Sequence, residues 1–147
     1  MANVDGFPRV IDPRKVGTYP ARAGAGGGYV WDDVLEYRVW CHPERGAKDL
    51  CEGNDYYYAF ESYAGARDFS QKTEGAEEPL ALIVQREYID EPEPHQFTHV
   101  KQERVTEWPV DFLTRPRRTD TTILEFLAEV NLDRALAKLR GDTVDGS

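Results

Sequence analysis

Leu80-Ala81-Leu82-Ile83-Val84-Gln85-Arg86-Glu87-Tyr88-Ile89 carries the strongest strand signal in the chain. Its first five residues are apolar without a break, and Gln85-Arg86-Glu87 then turns polar. A continuous apolar run suits a strand covered on both faces, which places this segment at the centre of a sheet. Asp90-Glu91-Pro92-Glu93-Pro94 is expected to end it, because proline fixes φ and has no N–H to offer a ladder.

Working outward, residues 97–102 and 105–113 read as two further strands, with Pro109 marking an edge or a bulge. Thr122 and Glu125 have the spacing of a capping box, and Ile123, Phe126, Leu127 and Val130 form an apolar helical stripe. Leu132, Ala135, Leu136 and Leu139 continue it after a break expected at Asn131, and Gly141 ends the helix. On the other side, Leu35, Tyr37, Val39 and Cys41 alternate onto one face of a strand over residues 34–41. Glu36 and Arg38 are then expected on a solvent face. His42-Pro43 closes that strand, and residues 44–55 read as a polar loop with one short turn. Tyr56-Tyr57-Tyr58-Ala59-Phe60 is an aromatic strand. Ser62 caps a following helix whose turns carry Tyr63, Ala66, Phe69 and Ser70, with Gly75 as its stop.

The order is strand, strand, helix, three strands, helix. Such irregular alternation predicts a single α+β domain over residues 29–141, with a mixed or mainly antiparallel sheet of about five strands and two or three helices. Residues 1–28 hold three Pro and six Gly. They are expected to be irregular chain, lying over the domain or partly mobile, and residues 142–147 a frayed tail.

The chain has 147 residues, 40% hydrophobic and 31% charged, which suits a globular domain with its own core. Its net charge of −9, from 27 acidic and 18 basic side chains, repels phosphate backbones and anionic lipid. Neither nucleic acid nor a membrane is therefore an expected partner. No apolar run approaches the ~20 residues that span a bilayer. Met1-Ala2-Asn3-Val4-Asp5-Gly6 lacks the basic and apolar regions of a secretory signal. Cys41 and Cys51, the only cysteines, read as reduced thiols, so a cytoplasmic location is expected.

Four constellations bear chemistry. Cys41, His42 and Cys51, with His95 and His99, contain metal-ligating types but lack ligand-like spacing, so no metal site is expected. The glycine run at residues 24–28 resembles a phosphate loop in composition only, because no strand is predicted before it. Arg115, Arg117 and Arg118 stand just before a helix, where three guanidiniums suit a phosphate or carboxylate. Their plainer role is pairing with Asp111 or Asp120. The fourth group joins Arg38, His42, the triplet Tyr56, Tyr57 and Tyr58, Ser62, Glu103 and Glu107. A cationic side chain suits a phosphate and an aromatic strand suits a planar ring. A carboxylate suits a ribose hydroxyl or general-base work.

That arrangement resembles ADP-ribosyltransferase-like domains, which have a first-strand Arg or His, an aromatic second strand running into a helix, and a late strand with a catalytic Glu. The resemblance covers about residues 34–113. It implies that Arg38 or His42 fills the first role, Tyr57 or Tyr58 the second, and Glu103 or Glu107 the third. NAD or ADP-ribose is the ligand it implies. The chain is also similar to short bacterial proteins sharing Gly-Gly-Tyr-Val-Trp, Tyr-Arg-Val-Trp-Cys-His-Pro-Glu and Thr-Glu-Trp-Pro-Val, often labelled GNAT-type acetyltransferases. That likeness implies acetyl-CoA near the glycine run, where Gly27 fills one of two expected glycine places after Arg22 and Ala25 stands at the other. A third reading is a non-catalytic module that meets a protein partner through exposed aromatics and the arginines at 115–118.

Overall fold

The structure is a computed structural model that describes residues 6–24 and 28–139. β1 (Asp33–Cys41) lies inside a four-stranded sheet between β2 (Tyr56–Phe60) and β3 (Leu80–Gln85), and β6 (Arg104–Pro109) completes the order β2-β1-β3-β6. Every pairing in it is antiparallel. The apolar run at residues 80–84 is thus internal to the sheet. α1 (Tyr63–Lys72) follows β2, and the Ser62 hydroxyl accepts from the Gly65 N–H at 3.1 Å. Such a cap satisfies one of the donors that a helix start leaves open.

Alternation along the strands gives the sheet two unlike faces. Tyr37, Val39, Ala81, Ile83 and Trp108 form one core cluster with Ala66 of α1. Leu35, Leu82 and Val84 form another, packed by Tyr19 and Ala23. A register shift between Val34 and Glu36 marks a β-bulge at Leu35. The bulge brings Leu35 and Glu36 to the same side, which strict alternation would forbid.

The segment before β1 straps the second face. Ile11 N–H bonds to the Val34 carbonyl at 2.8 Å, Gly17 N–H to Glu36 Oε1 at 2.8 Å, and Gly24 bonds both ways with β6. Glu36 and Arg38 were expected to face water, and both are fully buried. The strap covers them, and contacts so distant along the chain leave no mark on the local alternation.

Six strands are present among the described residues, not about five. The segment expected as one strand from Leu80 to Ile89 divides at Arg86-Glu87. Tyr88 opens β4 (Tyr88–Glu93), which pairs with β5 (Gln96–Val100) as a separate hairpin. Pro92 was expected to break the chain's extension. It is accommodated where the register shifts between Asp90 and Glu93, so no ladder N–H is demanded of it. Residues 110–114 form a 3-10 turn, not the end of a strand.

α2 (Thr122–Leu139) runs through Asn131 without the expected break. Ile123, Phe126 and Leu127 pack on the hairpin through Ile89 and Phe97, with Val30 and Tyr29 between. Tyr29 and Phe126 stack at 4.7 Å. The carbonyl of Gly28, just before this layer, accepts from Arg115. At φ +138° a Cβ on Gly28 would stand 2.4 Å from Gln85 Nε2, so glycine is required there. No described helix is long and apolar enough to cross a membrane.

Candidate functional site

Arg38 and Trp40 project from β1 toward the strap, Tyr57 from β2 and Glu107 from β6. Register brings them together: Trp40 pairs with Tyr57 across β1–β2, and Leu82 pairs with both Glu36 and Glu107. Arg38 Nε donates to Glu36 Oε2 at 2.7 Å, and its NH1 lies 3.3 Å from Glu107 Oε2. The same Glu107 oxygen accepts from the Trp40 indole N–H at 2.9 Å. The Tyr57 ring lies beneath the guanidinium, 4.4 Å from its carbon, and 4.9 Å from the Trp40 ring.

Arg38, Tyr57 and Glu107, named from the sequence as one site, therefore do meet. The strap fills the space above them. Arg38 NH2 donates to the Pro20 carbonyl at 2.6 Å and NH1 to the Ala21 carbonyl at 3.0 Å. The Tyr57 hydroxyl donates to the Tyr19 carbonyl at 3.3 Å. A buried guanidinium with several fixed bonds is a structural clamp, and a ligand reaches it only by displacing residues 19–21.

The other expected members lie elsewhere. Tyr58 alternates to the opposite face, where its ring meets Phe69 of α1 at 5.0 Å. Ser62 is engaged as the cap of α1. Glu103 precedes β6 on the exposed rim. His42 follows β1 at the far corner of the sheet, its Nε2 2.7 Å from Glu77 Oε1 and its Nδ1 2.9 Å from Asp55 Oδ1. Burial lowers the imidazole pKa, but the nearby Asp55 and Glu77 carboxylates outweigh it, leaving a net rise above the ordinary 6.5.

The three arginines are engaged by protein groups. Arg118 grips Asp32 with Nε at 3.0 and 3.2 Å from its two oxygens and NH2 at 2.9 Å, and reaches Glu87 at 3.3 Å. Arg117 stacks over Trp31 at 4.6 Å, and Arg115 over Phe112 at 3.9 Å. The pairing expected with Asp111 or Asp120 is made with Asp32, Asp33 and Glu87 instead. Around the glycine run, residues 25–27 lie outside the described residues. Gly24 bonds to β6. Cys41 is buried and Cys51 exposed, both as free thiols, and burial pushes the Cys41 thiol above its usual pKa.

An open cavity of about 690 Å³ adjoins the strapped cluster. Its apolar wall is Leu35, Val84 and Val105, with Tyr19 beside them. Arg14, Lys15 and Arg86 bring positive charge to it, and Asp12 and Glu103 negative charge. Arg14 pairs with Asp12 at 3.2 Å and Arg86 with Asp33 at 2.8 Å. Apart from Glu103 these residues were missed, since the strap's path over β3 and β6 is what assembles them. The run Asp12-Pro13-Arg14-Lys15 was the available signal: a capped turn with two cations.

Comparison of the chain with protein-family models, with curated proteins and with solved structures finds no match.

Proposed function

We propose that the protein binds a nucleotide-containing small molecule on the strapped face of its main sheet. The observation that carries this reading is the cavity of about 690 Å³, in which Arg14, Lys15 and Arg86 surround an apolar wall beside Tyr19. Ligand pockets commonly have this size and this mixture of apolar surface with a few polar groups. The cations meet phosphates, and Tyr19 offers a ring to a base. In the ADP-ribosyltransferase-like form of the reading, the strap also lifts from Arg38 and Tyr57. Glu107 then orients a ribose hydroxyl, and Glu103 meets the ligand at the rim.

Amide NMR spectra titrated with NAD, ADP-ribose and acetyl-CoA test it. Saturable shifts confined to residues 11–19, 84–86 and 103–105 support binding in the cavity, and further shifts at 38, 57 and 107 support strap opening. Absence of any shift at millimolar nucleotide overturns both, and with them the acetyl-CoA alternative.

A second reading, self-association through α2, is favoured by Leu132, Leu136 and Leu139, which are 58%, 42% and 84% exposed along one side of the helix. Sedimentation as a monomer up to 100 times a micromolar loading would remove it.

A further inference from the structure

We propose that His42, Glu44 and Asp55 form a binding site for a first-row divalent transition cation of the zinc class. The site lies at the corner of the sheet and shares no residue with the cavity. His42 and Asp55 face each other because of register: Cys41 pairs with Tyr56, and one step further brings these two side chains together. Glu44 comes from the 3-10 turn Pro43–Arg45 that follows His42. One ligand atom from each of the three lies within 4.8 Å of the others.

The argument rests on the imidazole. Glu77 Oε1, 2.7 Å from Nε2, is a carboxylate oxygen and only accepts, which fixes a proton on Nε2. In the neutral ring Nδ1 then carries the lone pair. It is buried and has no hydrogen-bond partner, although Asp55 Oδ1 stands 2.9 Å away off the bonding axis. A buried lone pair this close to a carboxylate oxygen, with no hydrogen between them, is unfavourable. A proton on Nδ1 leaves that N–H without an aligned acceptor. A divalent ion on the Nδ1 axis answers both problems, since it accepts the lone pair and neutralises the two carboxylates.

The partner of the other ring nitrogen agrees with this. Metal-bound histidines generally donate their other ring N–H to a carboxylate, which sets the tautomer and the ring's orientation. Here Glu77 does so, itself held 3.3 Å from Arg45. The backbone under the site is fixed as well: His42 N–H bonds to the Gly75 carbonyl at 2.9 Å, and the His42 carbonyl accepts from Arg45 and Ala47. Donors at 2.0–2.2 Å from one ion stand no more than about 4.4 Å apart, so small rotations of the exposed Glu44 and Asp55 close the set. One nitrogen and two carboxylates favour zinc, manganese or cobalt over calcium or magnesium, which prefer all-oxygen ligands. Three protein ligands leave a position for water.

Isothermal titration of the full chain with zinc chloride tests the proposal, alongside cobalt(II) absorption and the nitrogen chemical shifts of the His42 ring. The expected result is one saturable site of micromolar or tighter affinity, with the Nδ1 resonance moving and Nε2 keeping its proton. Asp55→Asn and Glu44→Gln, at exposed positions that do not threaten the fold, each weaken zinc at least tenfold. Cys51→Ser leaves it unchanged. Absence of saturable one-to-one binding at millimolar zinc overturns the proposal, as does binding that both carboxylate variants leave intact.

Discussion

Replacing Arg38 with methionine separates a clamp from a mere neighbour of the strap. The guanidinium is fully buried and bonds Glu36, Glu107 and the carbonyls of Pro20 and Ala21. Removing it leaves the Glu36 carboxylate buried, with the Gly17 N–H at 2.8 Å as its remaining bond. Breaking a buried pair from one side costs about 3–5 kcal/mol, because the surviving charge stays out of water. For a chain of this length each kcal/mol moves Tm by about 3 °C, so Arg38→Met loses about 9–15 °C. With a urea slope of about 2 kcal/mol/M the midpoint falls by about 2 M. Circular dichroism reads both, and hydrogen exchange reads the strap, where the Gly17 and Gly24 amides lose protection before the sheet does. Adding Glu36→Gln removes the stranded charge but keeps an oxygen for Gly17, so the double variant recovers at least half of the loss. A cost below about 1 kcal/mol, or a double variant no better than the single one, refutes the clamp.

Further outcomes follow from other parts of the fold. Native protein treated with iodoacetamide is alkylated at exposed Cys51, while buried Cys41, with its raised pKa, reacts only after unfolding; mass spectrometry of the peptides distinguishes them. Gly75→Ala destabilises by about 1–2 kcal/mol, measured by urea unfolding, because L residues resist a left-handed conformation. Gly75 has φ +79°, and a Cβ there would stand 2.3 Å from the Ala47 nitrogen. Glu91 titrates below its ordinary 4.5, held down first by the His95 N–H and then by the Tyr29 hydroxyl. A depressed carboxylate stabilises the fold above its unfolded pKa and loses that contribution as pH falls through the folded value. Carbon NMR of the Glu91 carboxyl against pH checks the shift, and an unshifted titration removes the reasoning.

Local signals in the sequence were legible where the structure depends on them locally. The aromatic run at 56–60, the Ser62 cap and the apolar run at 80–84 correspond to β2, α1 and β3 because turn chemistry and burial act there within a few residues. Partners far along the chain were not legible. Alternation separated Glu36 and Arg38 from Tyr37 and Val39 correctly, yet it could not say that residues 17–24 would cover the charged side. The hairpin of β4 and β5 was hidden by Pro92, whose cost depends on a register shift that no local rule reveals. Arg38, Tyr57 and Glu107 were grouped by residue type and strand order, and antiparallel register does unite them. His42 comes just after the same strand, and strand length carries it to the other end, where Asp55 and Glu77 surround it.

The strap decides how the two parts of the proposed ligand site would differ in apparent affinity. Ligand in the outer cavity meets Arg14, Lys15, Arg86 and Tyr19 without disturbing Arg38. Ligand that reaches Arg38 must first break its bonds to Pro20 and Ala21. At about 1.5 kcal/mol for each charge-assisted bond, opening costs about 3 kcal/mol, which leaves roughly one molecule in 150 competent. An intrinsic micromolar affinity for the inner cluster would then read as about 0.15 mM, whereas the outer cavity carries no such reduction. Glu107→Gln would alter the inner cluster while keeping the Arg38 bonds that anchor the strap. Nucleotide held by the cavity, which Glu107 does not line, should therefore bind that variant with unchanged affinity, and nucleotide held by the inner cluster should lose the carboxylate it depends on.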